Sequence, residues 1–294
     1  MADDNTYANL TAMDRVPLET ASRYYYFKPM AVFFNALHLR AFQTAGLCWK
    51  TPVLDIGCSD GSYGLLMAEV LGAPDHILGI DVDEKAISCA RTEAKMLYDD
   101  MLVASAAQLP FDDNAFEMII VNASLVSIQP GLEASMREAY RVLKAGGRFY
   151  ATVCTDAYEK QYWIARLLRG LGLGALARHY MHAMNRRMQQ AHLLSWENWI
   201  QLFEDNGFRV VQHFGFLPLR LVPLWSFLAW TPLRIIGISK RIPWPWLHKK
   251  MAVLWTHVFA GIYTRTESKL DSQKSGYILI EAIKVSPEHS VPIS

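Results

Sequence analysis

Residues 53–64 read VLDIGCSDGSYG, and this stretch decides the fold. A short apolar run at residues 51–56 enters a glycine-containing turn, and an apolar helix pattern follows at residues 63–71. This order predicts a buried strand, a tight turn and a helix. Glycine lets backbone N–H groups approach a ligand at the start of a helix. Because Asp55 and Asp60 would repel a diphosphate there, the turn favours a cationic or neutral ligand that carries an amino group.

The other apolar patterns alternate between strand and helix. Strands are predicted at residues 76–81, 101–104, 116–122, 148–153, 208–216 and 276–285, and helices at 15–46, 83–97, 132–143, 158–171, 179–192 and 196–206. This alternation predicts an α/β fold with a Rossmann-like, doubly wound sheet, mostly parallel with an antiparallel last strand. Two of these helices, at 158–171 and 179–192, follow the fifth strand. A helical segment at about 217–275, far longer than a hairpin loop, is inserted between the last two strands.

Polar residues follow the predicted strands at the edge where such sheets bind ligands. Asp81 ends the second strand, where a carboxylate can accept hydrogen bonds from both hydroxyls of a ribose. Asp83 suits the N-cap of the next helix, which leaves Asp81 available for a ligand. Ser105 and Asn122 follow the third and fourth strands, and they complete the predicted site.

Four segments, taken together, resemble the consecutive signatures of class I S-adenosylmethionine-dependent methyltransferases of the type 11 group. They are residues 53–64, GIDVDEKAI at 79–87, AAQLPFDDNAFEMIIVNASL at 106–125 and REAYRVLKAGGRFY at 137–150. Their order and spacing match over about residues 50–153. The resemblance implies a methyltransferase with S-adenosylmethionine as its cofactor.

The resemblance also implies roles for particular residues. Asp55 and the glycine turn would hold the amino-acid part of the cofactor, and Asp81 the ribose. Ser105 and Ala106 would contact the adenine, and Asn122 would lie by the methionine portion. The implied cofactor-binding set is Asp55, Gly57, Cys58, Ser59, Gly61, Asp81, Val82, Ser105, Ala106 and Asn122.

Two positions depart from the family pattern. Ser59 stands where the middle glycine of the turn is usual, and Ser105 stands where an aspartate usually bonds the adenine amino group. A hydroxyl accepts a weaker hydrogen bond than a carboxylate does. We therefore expect adenine binding to depend more on backbone contacts and on apolar packing by Val82.

Charge divides the chain into two unlike parts. Residues 1–150 carry 12 Lys and Arg against 19 Asp and Glu, whereas residues 151–294 carry 17 against 9. We expect residues 1–153 to form an N-terminal helical cap and the cofactor-binding core. Residues 154–294 would form the lid helices, the last two strands and the basic, tryptophan-rich insertion.

Several classes of protein and site are disfavoured. The cysteines Cys48, Cys58, Cys89 and Cys154 lack CxxC spacing, which argues against a metal site or a disulfide framework and favours a reducing cytosol. The acidic N-terminal stretch is unlike a signal peptide, and no apolar run reaches the roughly 20 residues of a membrane span. We expect a cytoplasmic protein that can lie at the inner face of the membrane.

The insertion suggests a lipophilic partner. Residues 217–264 contain five of the nine tryptophans, six Lys or Arg and no acid. Tryptophan beside cations on an apolar segment is typical of a membrane interface, and residues 164–187 repeat the theme with arginines. The alternatives are a lid over an apolar pocket or a dimer interface, and the oligomeric state stays open. Because the cations alternate with aliphatic residues and tryptophan, we expect no nucleic-acid partner.

Residues for the chemical step carry a weaker signal. Displacement at a sulfonium methyl needs alignment and exclusion of water, and a general base only where the acceptor bears a proton. The candidates for that base are His179, His182 and His192, in the predicted lid. Tyr24 and Tyr25 are candidates for lining the substrate pocket, although packing aromatics on a capping helix would look the same.

Three functions remain open at this point. The first is methylation, at oxygen, of a lipophilic small molecule such as a prenylated quinone or a polyketide, or of a glycan on a lipid carrier, by an enzyme in peripheral contact with a membrane. The second is methylation of an acidic acceptor by a soluble natural-product enzyme. The third is a non-catalytic, methyltransferase-like assembly partner, which the intact Asp55, Gly57, Gly61 and Asp81 argue against.

Overall fold

The computed structural model describes residues 12–25, 29–129, 131–224, 226, 245–263, 265–266, 269–271 and 274–285. Seven strands in this part of the chain form one sheet. They are β1 (Val53–Ile56), β2 (Ile77–Asp81), β3 (Asp100–Val103), β4 (Phe116–Asn122), β5 (Leu143–Cys154), β6 (Phe208–Pro218) and β7 (Ser275–Lys284). The order across the sheet is β3-β2-β1-β4-β5-β7-β6.

The strand directions agree with the prediction. Strands β1 to β5 pair with one another in parallel, and β7 is antiparallel to both β5 and β6. The doubly wound, mostly parallel sheet with an antiparallel last strand is therefore confirmed. The order reverses beside β1, so the carboxyl ends of β1, β2 and β4 meet at one edge, where a ligand can bind.

Helices cover the sheet. They are α1 (Ala12–Tyr24), α2 (Pro29–Thr44), α3 (Ser62–Leu71), α4 (Glu84–Glu93), α5 (Leu132–Val142), α6 (Asp156–Lys160), α7 (Trp163–Gly170), α8 (Gly174–Arg187), α9 (Trp196–Asp205) and α10 (Pro245–Tyr263). Among the described helices, none combines the length and the apolar character that crossing a bilayer requires.

Several boundaries differ from the expected elements: the helix expected at residues 158–171 is the two helices α6 and α7, and the helix expected at 179–192 is α8, at Gly174–Arg187. The single helix expected at residues 15–46 is two helices, and the second begins at Pro29, since proline fits the first turn of a helix but disrupts its interior. The fifth strand, expected at residues 148–153, already begins at Leu143, directly after α5. The bulge in the pairing of β4 with β5 accommodates the added residues.

The insertion is packed into the fold through α10. This helix lies against α1 and α2, and Tyr263 near its end is fully buried. The Tyr263 hydroxyl donates to the Ala36 carbonyl at 3.0 Å, and Arg40 donates to the Tyr263 carbonyl at 3.1 Å. The insertion residues outside the described part of the chain include Trp225, Trp230, Trp244, Arg234, Lys240 and Arg241.

Candidate active site

A cavity of about 320 Å³ opens at the carboxyl ends of β1, β2 and β4. This volume lies at the lower end of the range for small-molecule sites. Seven residues of the predicted cofactor-binding set line it: Gly57, Ser59, Asp81, Val82, Ser105, Ala106 and Asn122. The structure therefore brings together residues that are up to 65 positions apart in the chain.

Asp81 and Val82 lie at the mouth of the cavity. One carboxylate oxygen of Asp81 accepts a hydrogen bond from the Ser59 backbone N–H at 2.9 Å, and the other accepts from the Asp83 N–H at 2.9 Å. Each oxygen keeps a further lone pair for a ligand hydroxyl. The Val82 side chain is 72% exposed beside it, which leaves an apolar surface for a flat ring. As predicted, Asp83 caps α4 by accepting from the backbone N–H groups of Lys85 and Ala86.

Asn122, at the end of β4, lies deeper in the cavity lining. Its Oδ1 accepts hydrogen bonds from Thr152 Oγ1 and from His38 Nδ1, each at 2.7 Å. The amide oxygen is thus occupied by two protein donors, and the Nδ2 hydrogens remain for the cavity. Burial lowers the pKa of His38 to about 3, against the opposing effect of its bond to Asn122, so the ring is neutral. A neutral ring that donates through Nδ1 leaves Nε2 as an acceptor.

Asp55 lies at the end of β1 but outside the cavity lining. Its carboxylate accepts a 2.6 Å hydrogen bond from the Tyr98 hydroxyl. Burial raises the pKa of Asp55 to about 6, and the negative charge of Asp81 acts in the same direction, while the Tyr98 bond opposes both. Burial, with the neighbouring charge of Asp55, also holds the pKa of Tyr98 well above its usual range. The proton therefore stays on Tyr98, and Asp55 is the acceptor.

The turn is shaped by its protein neighbours as well as by a ligand. Gly57 has φ +79°, and a Cβ there would lie 2.4 Å from Ser124 Cβ. Ser59 adopts φ +51°, the left-handed conformation that glycine adopts more readily. Cys58 is buried, and Gly61 lies against Ala94, so both stand behind the cavity and not in its lining. Their cofactor contacts, like those of Asp55, stay predictions.

Ser105 and Ala106, whose contacts with adenine stay predictions, both line the cavity. Ser105 is exposed at the cavity, and its Oγ accepts from the Ala107 backbone N–H at 3.2 Å. Ala106 is nearly buried and adds an apolar face to the lining. The Ser105 hydroxyl oxygen is thus used in a local hydrogen bond. This supports the expectation that adenine binding depends on apolar packing by Val82.

The candidate residues for the chemical step are less concentrated. His179 and His182 are exposed on α8. His192 donates from Nε2 to the carbonyl of Ile128 at 2.8 Å, and Ile128 lines the cavity. Tyr24 is exposed, whereas Tyr25 is half-buried with its hydroxyl 3.4 Å from Ser62 Oγ, at the start of α3. His192 and Tyr25 are therefore the members of each set nearer the site.

His38, Thr152 and Tyr98 belong to the site but were missed in the sequence. Each acts across a long sequence separation: 84 residues for His38 to Asn122 and 43 for Tyr98 to Asp55. A lone histidine on an apolar helix face has the same pattern as a core residue, so nothing marked His38. In the described part of the chain no group of side chains could hold a metal ion.

Comparison with known proteins now decides the family. Residues 49–207, more than half of the chain, match a family of methyltransferase domains. The chain belongs to this family. The resemblance to class I S-adenosylmethionine-dependent methyltransferases is confirmed, and S-adenosylmethionine is the cofactor of such enzymes.

Curated relatives of this methyltransferase match part of its chain. A demethylmenaquinone methyltransferase of Listeria monocytogenes is 35% identical over 112 residues, which is 37% of this chain and 46% of the relative. A ubiquinone/menaquinone biosynthesis C-methyltransferase of Brucella suis is 29% identical over 150 residues, 45% of this chain and 55% of the relative. The chain thus spans about half the length of the curated relatives it matches.

Solved structures show the same fold. The cyclase SpnF superposes with a TM-score of 0.53 at 19% identity, covering 86% of this methyltransferase and 82% of SpnF. A candidate sarcosine dimethylglycine methyltransferase from Galdieria sulphuraria gives a TM-score of 0.54 at 14% identity, covering 88% and 91%. One neighbour is named a cyclase, so the fold alone does not determine the reaction.

The cavity fits S-adenosylmethionine. Asp81 offers carboxylate acceptors for a ribose, and Val82 with Ala106 offers apolar surface for a purine. Asn122 offers amide hydrogens for the carboxylate of an amino acid. The lining also contains no Lys or Arg, which suits a cofactor without phosphate groups.

Proposed function

We propose that this methyltransferase transfers a methyl group to a ring carbon of a lipophilic, quinone-type acceptor. The cofactor half of the proposal depends on one observation, which is the cavity that gathers Asp81, Val82 and Asn122 at the switch point of the sheet. The acceptor half is supported by the curated relatives, whose names refer to demethylmenaquinone and to ubiquinone and menaquinone.

Carbon replaces oxygen as the proposed methylated atom. The expectation of oxygen methylation rested on general chemistry and finds no support in the relatives, because the Brucella protein is named a C-methyltransferase. A hydroxylated aromatic ring is nucleophilic at carbon next to or opposite a hydroxyl, so a quinol can accept a methyl group there. Apolar residues around the site suit such a ring.

Different residues of the site have different roles in the proposed transfer. S-adenosylmethionine supplies a methyl group on a positively charged sulfur. Asp81 binds hydroxyls, and Asn122, held by two donors, orients the amino-acid end. The loop after α8 covers the site, because the backbone N–H groups of Ala191 and His192 both donate to the Val126 carbonyl. Alignment and exclusion of water are the main contributions that the protein makes to such a transfer.

We propose His192 as the proton acceptor for a hydroxyl of the acceptor ring; the ring carbon that gains the methyl group then loses its own proton to solvent, and the ring oxygen recovers its proton from His192. The Nε2–H of His192 donates a hydrogen bond to the Ile128 carbonyl, so Nδ1 carries the lone pair that can accept a proton. The exposed His179 and His182 serve as matched controls on the neighbouring helix. His192→Phe should lower kcat by about 10²-fold or more, as for loss of a general base. Equal effects in His179→Phe or His182→Phe would show that His192 has no special role.

We propose that the protein works at the cytoplasmic face of a membrane, because a quinone with a long apolar tail resides in the bilayer. Flotation of the protein with vesicles of anionic phospholipid tests this contact. A protein that stays in the aqueous layer at low salt would contradict it.

Calorimetry with S-adenosylhomocysteine tests the cofactor site. The native protein should bind, and Asp81→Asn should weaken binding tenfold or more, since charge-assisted bonds contribute about 1.5–3 kcal/mol each. Asp75→Asn, on the exposed loop before β2, is the control and should bind like the native protein. An absence of binding by the native protein would overturn the proposed function.

Incubation with membrane extract and a deuterium-labelled methyl donor tests the acceptor. We expect a labelled, lipid-soluble product in which one deuterated methyl group replaces one hydrogen of the precursor. Its NMR spectrum distinguishes an aryl methyl from a methoxy group. Label found only in water-soluble products, or only as methoxy, would contradict the proposal.

A further inference from the structure

The helices α7 and α8 form a hairpin that exposes leucines at its tip. Leu167, Leu171, Leu173 and Leu176 lie within ten consecutive residues, and each is between 47% and 65% exposed. Isolated exposed leucines are ordinary on protein surfaces, but four at the tip of one hairpin form an apolar cluster that needs an explanation.

Cations surround this cluster. Arg166, Arg169 and Arg178 flank the tip, Arg186 and Arg187 lie at the end of α8, and all five are exposed. Residues 161–196 contain no Asp or Glu. Within the described part of the chain none of the five guanidinium groups is held in an ion pair; Arg169 donates to the Lys160 carbonyl and Arg166 to the Gln161 side chain.

The base of the hairpin is anchored while its tip points away from the core. Ala165, Ala177 and Met181 are buried, and Asn185 donates to Glu159 at 3.2 Å. The tip therefore presents a fixed surface, because the helices that carry it are packed on the body of the protein.

The hairpin is also next to the cavity. Gln189, two residues beyond α8, lines the cavity. The following loop is bonded to the Val126 and Ile128 carbonyls at the cavity edge. A surface that holds the tip of the hairpin would thus hold the active site close to it.

We propose that the α7–α8 tip docks on an anionic phospholipid bilayer, with its leucines inserted at headgroup depth and its arginines on lipid phosphates. This deepens the proposed function and takes its purpose from it, since the docked hairpin brings the cavity to the layer that contains the acceptor. Inserted leucines contribute apolar burial, and arginines near an anionic surface add electrostatic attraction.

Charge and shape favour a bilayer over other partners. A nucleic acid would use the arginines but would leave the leucines in water. A protein partner would also bury the leucines, but it would need acidic groups placed to match the five arginines, whereas an anionic bilayer offers negative charge on every side of the tip. The α10 surface, where Val253 and Leu254 are exposed beside Lys249 and Lys250, resembles the tip in composition and provides the matched control.

Vesicle binding tests the proposal on the full-length protein without acceptor or methyl donor. The probe is a mixed vesicle of phosphatidylglycerol and phosphatidylcholine. Leu171→Ser/Leu176→Ser should lower the partition coefficient at least tenfold. Val253→Ser/Leu254→Ser, which removes similarly exposed apolar groups from α10, should change it less than twofold. Circular dichroism and the melting temperature should show both double variants folded, because all four residues are on the surface.

The arginines are tested by salt and by substitution. Raising the salt from 0.1 M to 1 M shortens the screening length from about 10 to 3 Å and should weaken binding to anionic vesicles. Arg169→Gln/Arg178→Gln should weaken it several-fold and reduce the salt dependence. Equal binding to pure phosphatidylcholine would overturn the role of charge. Two results would overturn the assignment of the docking surface to the hairpin. One is native-like vesicle binding by Leu171→Ser/Leu176→Ser, and the other is a loss of binding in Val253→Ser/Leu254→Ser alone.

A second measurement separates this proposal from the proposed function. Methyl transfer to a short-chain quinol dissolved in water should be the same in Leu171→Ser/Leu176→Ser and in the native protein. Loss of vesicle binding with retained transfer supports docking through the tip. Vesicle binding without any transfer would overturn the quinone proposal and leave the docking surface in place.

Discussion

At the scale of single residues, the two aspartates of the site have different physical surroundings. Asp81 lies at the cavity with two backbone donors, whereas Asp55 is enclosed and bonded to Tyr98. The place of Asp81 in the cavity and the cap at Asp83 could be predicted, because both follow from position at a strand end. The enclosure of Asp55 could not be predicted, since it depends on Tyr98, which follows α4 in the chain.

The raised pKa of Asp55 predicts a pH-dependent cost to stability. Its pKa is about 6 in the folded protein against 3.8 ordinarily. As the pH rises from 3.8 to 6, the unfolded chain releases this proton before the folded protein does, so stability falls through that window. Asp55→Asn should thus be more stable than the native protein at pH 7, by up to about 3 kcal/mol, with no difference below pH 4.

Urea unfolding at pH 4, 5, 6 and 7 measures this difference. Asp75→Asn, an exposed carboxylate, is the control and should leave the pH profile unchanged. We also expect Asp55→Asn to weaken binding of S-adenosylhomocysteine, because the family resemblance gives this carboxylate to the amino group of the cofactor. A stability gain that is constant from pH 4 to pH 7 would contradict the assigned cause.

His38 is predicted to act on the cofactor only through Asn122. His38→Phe removes one of two donors to the Asn122 oxygen and should weaken S-adenosylhomocysteine binding by about three- to tenfold, the size of one hydrogen bond. His38→Asn can place an amide N–H near the position of Nδ1 and should restore most of the affinity. Calorimetry of both variants, with their melting temperatures, measures this effect.

A double-mutant cycle separates positioning from packing at His38. In an Asn122→Ala background, His38→Phe should have no further effect on affinity, because its target is gone. Additive losses in the double variant would mean that His38 supports the site by packing alone, among Phe34, Phe216 and Tyr277.

At the scale of elements, apolar periodicity was sufficient to predict the existence and type of the strands. It failed where a proline or a bulge decides the boundary, as at Pro29 and Leu143. The glycines of the first turn also have close protein neighbours, which apolar periodicity does not predict. Some of these neighbours come from the contact between α3 and the chain after α4. The contact of Gly64 with Tyr98 can be tested.

Gly64 is predicted to be required by Tyr98. A Cβ at Gly64 would lie 2.1 Å from the Tyr98 hydroxyl oxygen and 2.9 Å from Cζ. Gly64→Ala should therefore displace the tyrosine from Asp55 and cost about 1–3 kcal/mol of unfolding free energy. Tyr98→Phe in the same chain should recover part of that loss, because the oxygen is the closer of the two atoms.

Chemical denaturation of the single and double variants measures the coupling between Gly64 and Tyr98. Gly170→Ala, at the end of α7, is the matched control, since its added Cβ meets no atom within 4 Å and its φ is ordinary. It should leave stability unchanged or raise it slightly. If Gly64→Ala behaves like Gly170→Ala, the close approach of Tyr98 does not constrain this position.

At the scale of the whole molecule, the sequence located the insertion by its length but not its packing. The alternatives of membrane contact, lid and dimer interface all treated residues 217–275 as an addition to a finished core. The structure packs α10 on α1 and α2, and α2 carries His38, so this part of the insertion supports the site from behind. No local pattern contains that information, because it depends on contacts more than 200 residues apart.

Tyr263 tests whether α10 is integral to the fold. Its ring is fully buried, stacked 4.3 Å from the Arg40 guanidinium, and its hydroxyl donates to the Ala36 carbonyl. Tyr263→Ala should lower the unfolding free energy by about 3–5 kcal/mol, as for other large core truncations. Leu254→Ala, exposed on the same helix, should change it by less than about 0.5 kcal/mol. If the two variants unfold alike, α10 is a separable appendage, and the link from the insertion through α2 to Asn122 does not exist.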